Sequence, residues 1–122
     1  MKILGIDYGT KNIGLAWADT TLGIVLPFGI VKTLPALIKL IQAEKVDKVV
    51  LGFPLGLNSQ ENKNTERVQN VGFEIGKATG LTVEYCDERF SSQAADSAGG
   101  GVSRDERSAM IILEGYLERN KK

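Results

Sequence analysis

The sequence predicts an α/β protein with a five-stranded mixed sheet flanked by helices. Three apolar runs open the chain, separated by short turns that carry Gly and Thr, and this spacing is typical of an antiparallel meander. Two further apolar runs then alternate with helical patterns, an order that adds parallel strands to the sheet and covers its faces with helices. At 122 residues, the chain is expected to form one domain, residues 1–122, with a core of its own.

The meander accounts for the first three strands. The predicted strands are Lys2–Tyr8, the run IGLAWAD from Ile13 and the run IVLPFGIV from Ile24. The first run is almost continuously apolar, which favours a strand buried on both faces. Pro27 and Gly29 indicate an edge or bulged position for the third strand, because proline cannot donate to the ladder and glycine often marks a bulge.

Helices and two more strands follow the meander. Thr33 is a candidate N-cap with Pro35 in the first helical turn. Gly80 is expected to end the second helix, because glycine readily adopts a left-handed conformation. Ser103 and Glu106 form a capping-box pattern for the last helix, which is expected to end near Arg119. The remaining predicted elements are the strands KVVLGFP from Lys48 and LTVEYC from Leu81, and a short helix in SSQAADSA.

Composition excludes several kinds of site. The formal net charge is zero, so any nucleic-acid contact must depend on a local patch rather than on the overall field. The chain has no histidine, which removes ordinary zinc sites and His-based acid–base chemistry. Its one cysteine, Cys86, permits no internal disulfide. With no signal-peptide pattern and no long apolar stretch, the sequence predicts a cytoplasmic bacterial protein that does not enter a membrane.

Acidic residues lie where the predicted strands and the last helix end or begin. Asp7 closes the first strand, Asp87 and Glu88 follow the fifth, and Asp105 opens the last helix. Parallel strands gather functional groups at their carboxyl ends, so Asp7, at the end of a central first strand, and the Asp87/Glu88 pair are expected to meet there. Asp105 shares an edge of its helix with Ala109, Ile112 and Tyr116, which turns it towards the body of the protein. Each acid also has a structural alternative: Asp7 as a turn residue, Asp87 or Glu88 as a partner of Arg89, and Asp105 as a helix-dipole residue.

Carboxylates from separate elements suggest a site for hard cations. Oxygen ligands suit Mg²⁺ or Mn²⁺, and two such ions about 4 Å apart can clamp the attacking and leaving oxygens of a phosphodiester. This pattern favours a metal-dependent nuclease of the two-metal-ion type. The candidate phosphate contacts are Lys11 and Asn12 in the loop beside Asp7, Arg67 at the start of the second helix, and Arg89 beside the acidic pair.

A family resemblance rests on several segments taken together. They are IDYGTKNIGLAWAD, VVLGFPLGLN, TERV, YCDERFSSQAA and DERSAMIILEGYL, in this order along essentially the whole chain. These segments resemble the YqgF family of bacterial RNase H-like proteins. That family is described both as Holliday-junction resolvases and as nucleases for the 5′ end of pre-16S ribosomal RNA.

The resemblance implies an RNase H-like fold and a catalytic acidic triad. Its acids fall on Asp7, Glu88 and Asp105, with Asp87 beside Glu88 as a further candidate metal ligand. Asn12 departs from the pattern, because the family usually has arginine there. The implied function is processing of the 5′ end of pre-16S rRNA, and the alternative is resolution of Holliday junctions in branched DNA.

Two alternative functions to consider for this sequence are an ATPase and a non-catalytic binding module. The DYGT segment resembles the first phosphate loop of the actin and sugar-kinase ATPases, but those proteins need a second half that is not in this sequence. A non-catalytic nucleic-acid-binding module of the same fold is the further alternative, and it has no chemical need for three acids. The expected partner is structured RNA or branched DNA, bound by a monomer or a homodimer.

Overall fold

The computed structural model describes residues 1–9, 12–53, 63–87 and 103–119. Within these ranges, five strands form one sheet and three helices pack against it. In chain order the elements are β1 (Lys2–Tyr8), β2 (Ile13–Asp19), β3 (Ile24–Val31), α1 (Leu34–Ala43), β4 (Lys48–Phe53), α2 (Lys63–Thr79), β5 (Thr82–Asp87) and α3 (Arg104–Arg119).

The sheet has the predicted mixed topology. Its strand order is β3-β2-β1-β4-β5, which puts β1 in the centre. The pairs β1–β2 and β2–β3 are antiparallel, as expected for a meander, whereas β4 pairs in parallel with both β1 and β5. The α/β class and the central position of β1 are therefore confirmed.

The third strand is both an edge strand and irregular, as Pro27 and Gly29 predicted. Its pairing with β2 shifts register between Leu15 and Ala16, at the point where Ala16 is opposite Pro27. Gly29 has φ of 121°, a value that residues with a side chain rarely adopt. Proline has no N–H to donate to the ladder, so the irregularity falls where one ladder hydrogen bond is missing in any case.

Local side-chain contacts set the helix ends. The Oγ1 atom of Thr33 accepts a hydrogen bond from the Ala36 amide at 3.3 Å, which caps α1. Ser103 and Glu106 form the reciprocal capping box at α3, with the Glu106 amide donating to Ser103 Oγ at 3.2 Å and the Ser103 amide donating to Glu106 Oε1 at 3.4 Å. Gly80 follows α2 with φ of 74° and donates its amide to the Gly76 carbonyl at 2.8 Å.

Two hydrophobic cores lie on the two faces of the sheet. Side chains alternate along β1, so Leu4 and Ile6 point to the face covered by α1 and α2, whereas Ile3 points to the face covered by α3. The α3 face is closed by a buried stripe of the helix: Ala109, Ile112, Leu113 and Tyr116. Full burial of a Leu or Ile side chain stabilises the fold by about 1.5–3 kcal/mol, so this double layer fixes β1 firmly.

Some predicted elements lie outside the described residues. They are the loop that follows Phe53, the short helix expected in residues 91–98 and the Gly-rich hinge at residues 99–101. Among the helices that the structure does describe, none has the length and apolar character needed to cross a membrane.

A polar cluster joins β4, β5 and α3 near the amino ends of the two strands. Lys48 Nζ lies 2.6 Å from Glu84 Oε2, and the Tyr116 hydroxyl donates to the same oxygen at 2.7 Å. The hydrogen bond to Glu84 raises the pKa of Lys48. Burial, followed by the hydrogen bond to Glu84, raises the pKa of Tyr116.

This cluster should make the protein sensitive to alkaline pH. Both groups have folded-state pKa values above their ordinary 10.5 and 10.0, so their stabilisation is complete below about pH 10 and is lost as the pH rises through the folded-state values. Urea unfolding at about pH 8 and about pH 11 should show this loss. The double variant Lys48→Met/Tyr116→Phe should lose less over the same interval, and Lys39→Met on the exposed face of α1 should behave as the wild type. Equal losses in all three proteins would show that the cluster does not set the pH dependence.

Candidate functional site

Asp7 lies at the carboxyl end of the central strand, on the face covered by α3. A Cβ atom on Gly5, two residues earlier, would meet the Leu113 side chain and, at 3.1 Å, the Ala109 carbonyl oxygen. Residues two apart along a strand point to the same face, so Asp7 also points towards α3. Its side chain is only partly buried, which leaves it accessible from the edge of the sheet.

The first turn of α3 brings Asp105 to the same place. Asp7 is the cross-strand partner of Gly14 in β2, and directly opposite residues are about 5 Å apart. A Cβ atom on Gly14 would overlap the Asp105 carbonyl oxygen and would lie 2.8 Å from Asp105 Cβ. The backbone of Asp105 therefore rests on Gly14, beside Asp7 and on the same face of the sheet.

The loop between β1 and β2 reaches across to this helix turn. Asn12 Nδ2 donates a hydrogen bond to Asp105 Oδ2 at 3.4 Å. The Gly9 amide is within hydrogen-bond distance of two carbonyl oxygens, those of Asp7 and Asn12, each at 3.1 Å. The residues that flank the loop thus tie the end of β1, the start of β2 and the Asp105 carboxylate together.

The end of β5 lies at the same edge of the sheet. Ile6 is in register with Leu51, and Leu51 with Tyr85, so Asp87 lies one residue further along the strand direction than Asp7. The backbones of β1 and β5 are separated by β4, a distance of about 10 Å. For Asp87 the backbone alone is described, and this places the start of the DER segment at the edge where Asp7 and Asp105 meet.

Arg67 approaches this edge from the opposite face of the sheet. Its guanidinium lies 4.8 Å from the centroid of the Tyr8 ring, and its Nη2 atom donates to the Tyr8 carbonyl oxygen at 3.2 Å. Tyr8 packs against the core that α1 and α2 cover. Arg67 therefore lies beside the residue that follows Asp7, where it is partly buried and holds the end of β1.

Three of the predicted site residues lie outside the described residues: Lys11, Glu88 and Arg89. In residues 1–9, 12–53, 63–87 and 103–119, no group of three or more His, Cys, Asp or Glu side chains is arranged to hold a metal ion. The described part of the site is therefore the pair Asp7 and Asp105, and the assignment of all these residues as ligands or phosphate contacts stays a prediction.

The chemistry of the described pair fits a hard cation. Both donors are carboxylates that come from different elements, and the Asp105 backbone rests on Gly14, the cross-strand partner of Asp7. Magnesium and manganese ions prefer such oxygen ligands and usually keep several water molecules, which a partly open edge can supply. Cys86, next to Asp87 near the end of β5, is buried in the α3-side core.

Comparison with known proteins identifies the family. A family model described as "RuvX: Holliday junction resolvase" matches residues 1–119. The chain belongs to the RuvX family. The resemblance to the YqgF family that the sequence predicted is thereby confirmed, as is the prediction of a nuclease family.

Relatives of the RuvX chain match over nearly their whole length. A protein of Agathobacter rectalis named "Putative pre-16S rRNA nuclease" is 35% identical, covering 97% of this chain and 95% of its own. A protein of Streptococcus sanguinis with the same name is 34% identical, covering 98% of this chain and 99% of its own.

Solved structures give the same fold. The RuvX chain is similar to RuvC of Thermus thermophilus in complex with a Holliday junction substrate, with a TM-score of 0.66, 14% identity and coverage of 99% of this chain and 97% of that one. A second structure of T. thermophilus RuvC has a TM-score of 0.64 and 12% identity, covering 98% of this chain and 97% of that one. At this identity the likeness shows the fold alone, and it confirms the predicted RNase H-like architecture.

Two residues near the site were not singled out by sequence reasoning. In the sequence, Tyr8 stands only as the end of a strand, and nothing in its local pattern indicates a contact with an arginine 59 positions away. Gly14 carried a usable signal, because an isolated glycine inside a strand often marks a close approach of another backbone. In this RuvX chain the approaching backbone is that of Asp105.

Proposed function

We propose that this chain is a metal-dependent nuclease that hydrolyses phosphodiester bonds, with the 5′ end of pre-16S rRNA as its substrate. One observation carries the proposal: Asp7 at the end of the central strand and Asp105 at the start of α3 meet on one face at the carboxyl edge of the sheet. Two partly buried carboxylates at such an edge can bind a cation. The structural alternatives, a turn residue at Asp7 and a helix-dipole residue at Asp105, do not explain why the two acids lie at the same edge.

The proposed metal ligands are Asp7, Glu88 and Asp105, with Asp87 beside them. Bound Mg²⁺ or Mn²⁺, in the two-ion form of this chemistry, would stabilise charge on the phosphoryl oxygens and provide an activated water. The role of the protein is to hold carboxylates from β1, from the DER segment and from α3 at one point. The backbone of β5 supports this, because it ends one residue beyond the level of Asp7 at the same edge of the sheet.

The proposed nucleic-acid contacts are Lys11, Asn12, Arg67 and Arg89. Lys11 and Asn12 belong to the loop that follows Asp7, and Arg89 follows the acidic pair in sequence. Arg67 already donates one N–H to the Tyr8 carbonyl and its Nε is buried, so the other N–H groups of its two terminal nitrogens are the donors proposed to reach a phosphate. These groups are expected to read backbone shape rather than bases.

The relatives favour ribosomal RNA over branched DNA as the substrate. Proteins named as pre-16S rRNA nucleases are 33–35% identical over nearly the full chain, whereas RuvC is 12–14% identical. The Holliday junction remains the second candidate, because the matching family model is described by that activity. A monomer suffices for an RNA end, and symmetric cutting of a junction needs a homodimer. Cytoplasmic location belongs to the same proposal.

A direct cleavage assay tests the proposal. The purified chain is incubated with 5′-labelled RNA that spans the mature 16S end, and separately with a four-way DNA junction, each with Mg²⁺, Mn²⁺ or EDTA. Cleavage of the RNA with metal and not with EDTA is the expected result. Cleavage of the junction alone would identify branched DNA, rather than RNA, as the substrate. Metal-dependent binding of the RNA or the junction without cleavage would mean that the chain is a non-catalytic module.

Lys11→Ala tests the predicted phosphate contact. Loss of one phosphate-facing charge should weaken RNA binding by about the same factor for unrelated sequences of the same shape, and it should reduce the slope of log K against log [salt] by about one. Binding titrations at several salt concentrations measure both effects, and Lys39→Ala on α1 is the matched control. A loss that depends strongly on base sequence would contradict the assigned role.

A further inference from the structure

We propose that Asn12 and Gly14 are positioning residues that hold Asp105 in place against β1, a proposal that rests on the proposed function. Gly14 sets where the backbone of α3 begins, and Asn12 sets how the Asp105 carboxylate is turned. Neither residue needs to touch metal or substrate for this role. Both residues act on Asp105, whose position would otherwise follow any movement of the first turn of α3.

The close approach at Gly14 is the first observation. A Cβ atom there would overlap the Asp105 carbonyl oxygen, so any residue larger than glycine forces the first turn of α3 to move. The need for glycine is purely one of space, because positive φ among the described glycines occurs at Gly23, Gly29 and Gly80 and not at Gly14. Alanine would therefore fit the backbone conformation of β2 and would act only by displacing Asp105.

The geometry of α3 shows why such a displacement would be local. Further along the helix, Ala109 and Leu113 rest on Gly5, and Tyr116 is tied to Lys48 and Glu84 at the opposite end of the sheet. The C-terminal part of α3 is thus fixed by a buried stripe and a polar cluster. An obstruction at Gly14 would tilt or fray the first turn, which is the turn that carries Asp105.

The hydrogen bond from Asn12 is the second, independent observation. Its amide donates to Asp105 Oδ2 at 3.4 Å, which orients the carboxylate without adding charge. Asparagine at this position leaves the full negative charge of Asp105 available to a cation, whereas an arginine would neutralise part of it. The side-chain amide thereby orients the acid, and the Asn12 carbonyl accepts from Gly9 on the other side of the loop.

The first experiment is independent of metal and of nuclease activity. Amide ¹H–¹⁵N spectra of the metal-free protein are compared for wild type, Gly14→Ala and Gly5→Ala. Gly5→Ala introduces a Cβ under the same helix that crowds the Leu113 side chain rather than the backbone of Asp105, so it is a control for overpacking away from Asp105. Gly14→Ala should shift the resonances of residues 104–107, and Gly5→Ala those of residues 109–113. Unchanged resonances for residues 105–107 in Gly14→Ala would overturn the positioning role.

The second experiment measures Mn²⁺ alone by the rise in melting temperature that it causes. Both glycine variants should melt about 5–10 °C below wild type without metal, because both crowd the same interface. The Mn²⁺-induced rise should persist in Gly5→Ala and fall by more than half in Gly14→Ala and in Asn12→Leu. Equal rises in all four proteins would overturn the proposal. No rise in wild type would instead count against the proposed metal site, and the spectra would still decide the position of Asp105.

Measurements of kcat and KM distinguish a positioning role from a general loss of folded protein. In Gly14→Ala, kcat on the RNA substrate should fall by about 10²-fold with KM nearly unchanged, since a misplacement of about 1 Å has this effect on a reacting centre. Asn12→Gln keeps an amide donor and should recover part of the activity that Asn12→Leu loses. A parallel loss of kcat and of folded protein, without recovery by Asn12→Gln, would show that the two residues are merely structural.

Discussion

Asp7→Asn should reduce cleavage to background, a loss of about 10³-fold or more, while the protein stays folded. The substitution keeps the shape of the side chain and removes one negative charge at the point where β1 meets α3. Loss of several kcal/mol of transition-state stabilisation is expected when a carboxylate that binds a catalytic cation becomes neutral. The rate of cleavage with saturating Mg²⁺ is the measurement.

Stability should change little in this variant. Carboxylates that converge on one edge repel one another without a cation, so removal of one charge should leave the metal-free melting temperature within about 2 °C of wild type or raise it. The Mg²⁺-dependent rise in melting temperature should shrink, because the ion binds the native site and not the unfolded chain.

Asp19→Asn is a matched control for Asp7→Asn. Asp19 also ends a strand, and its Oδ1 atom accepts from the Thr21 amide at 2.8 Å and from the Leu22 amide at 3.3 Å, so it is a turn residue at a distance from the proposed site. Its variant should cleave RNA at the wild-type rate and keep the full metal-dependent rise. If Asp7→Asn behaved in the same way, Asp7 would be only a turn residue.

Asp105→Asn should cause a loss of cleavage of similar size, and Glu106→Gln should not. Both acids lie in the first turn of α3, where the helix dipole favours either one by about 0.3–1 kcal/mol. Glu106 is engaged with Ser103, whose hydroxyl lies 2.9 Å from Glu106 Oε1, and glutamine can keep that capping box. Asp105 lies over Gly14 beside Asp7. The pair of variants therefore separates a dipole residue from a ligand.

The outcome is measured by kcat and by thermal unfolding of both variants. The expected result is a loss of about 10³-fold in Asp105→Asn with a small change in stability, and a change below about twofold in Glu106→Gln. Similar small effects in both would assign Asp105 to the helix dipole and contradict the metal-binding role.

Much of the fold followed from local patterns. The apolar run of β1 indicated a strand buried on both faces, and cores on both sides of Leu4 and Ile3 confirm this. The N-cap at Thr33, the capping box at Ser103 and the stop at Gly80 each depend on contacts within four residues. Such signals are legible in sequence because the interacting groups are close along the chain.

The details of the site were less accessible. The strand-end rule predicted that Asp7 and the Asp87/Glu88 pair share one edge, and the family resemblance added Asp105 to them. The sequence did not reveal that Gly14 supports Asp105 or that Arg67 stacks on Tyr8, since these contacts join residues 91 and 59 positions apart and depend on how the layers pack. Contacts between residues so far apart in the sequence produce no local periodicity from which they could be predicted.

Paramagnetic broadening by Mn²⁺ tests most directly the claim that Asp7 and Asp105 form one metal centre. Substoichiometric Mn²⁺ added to the ¹⁵N-labelled protein should broaden the amide resonances of Asp7, Gly14 and Asp105 first. The resonances of Lys48 and Tyr116, at the opposite end of the sheet, should remain, and Mg²⁺ should reverse the effect by competition. Broadening centred elsewhere, or undiminished broadening in Asp7→Asn, would contradict the claim.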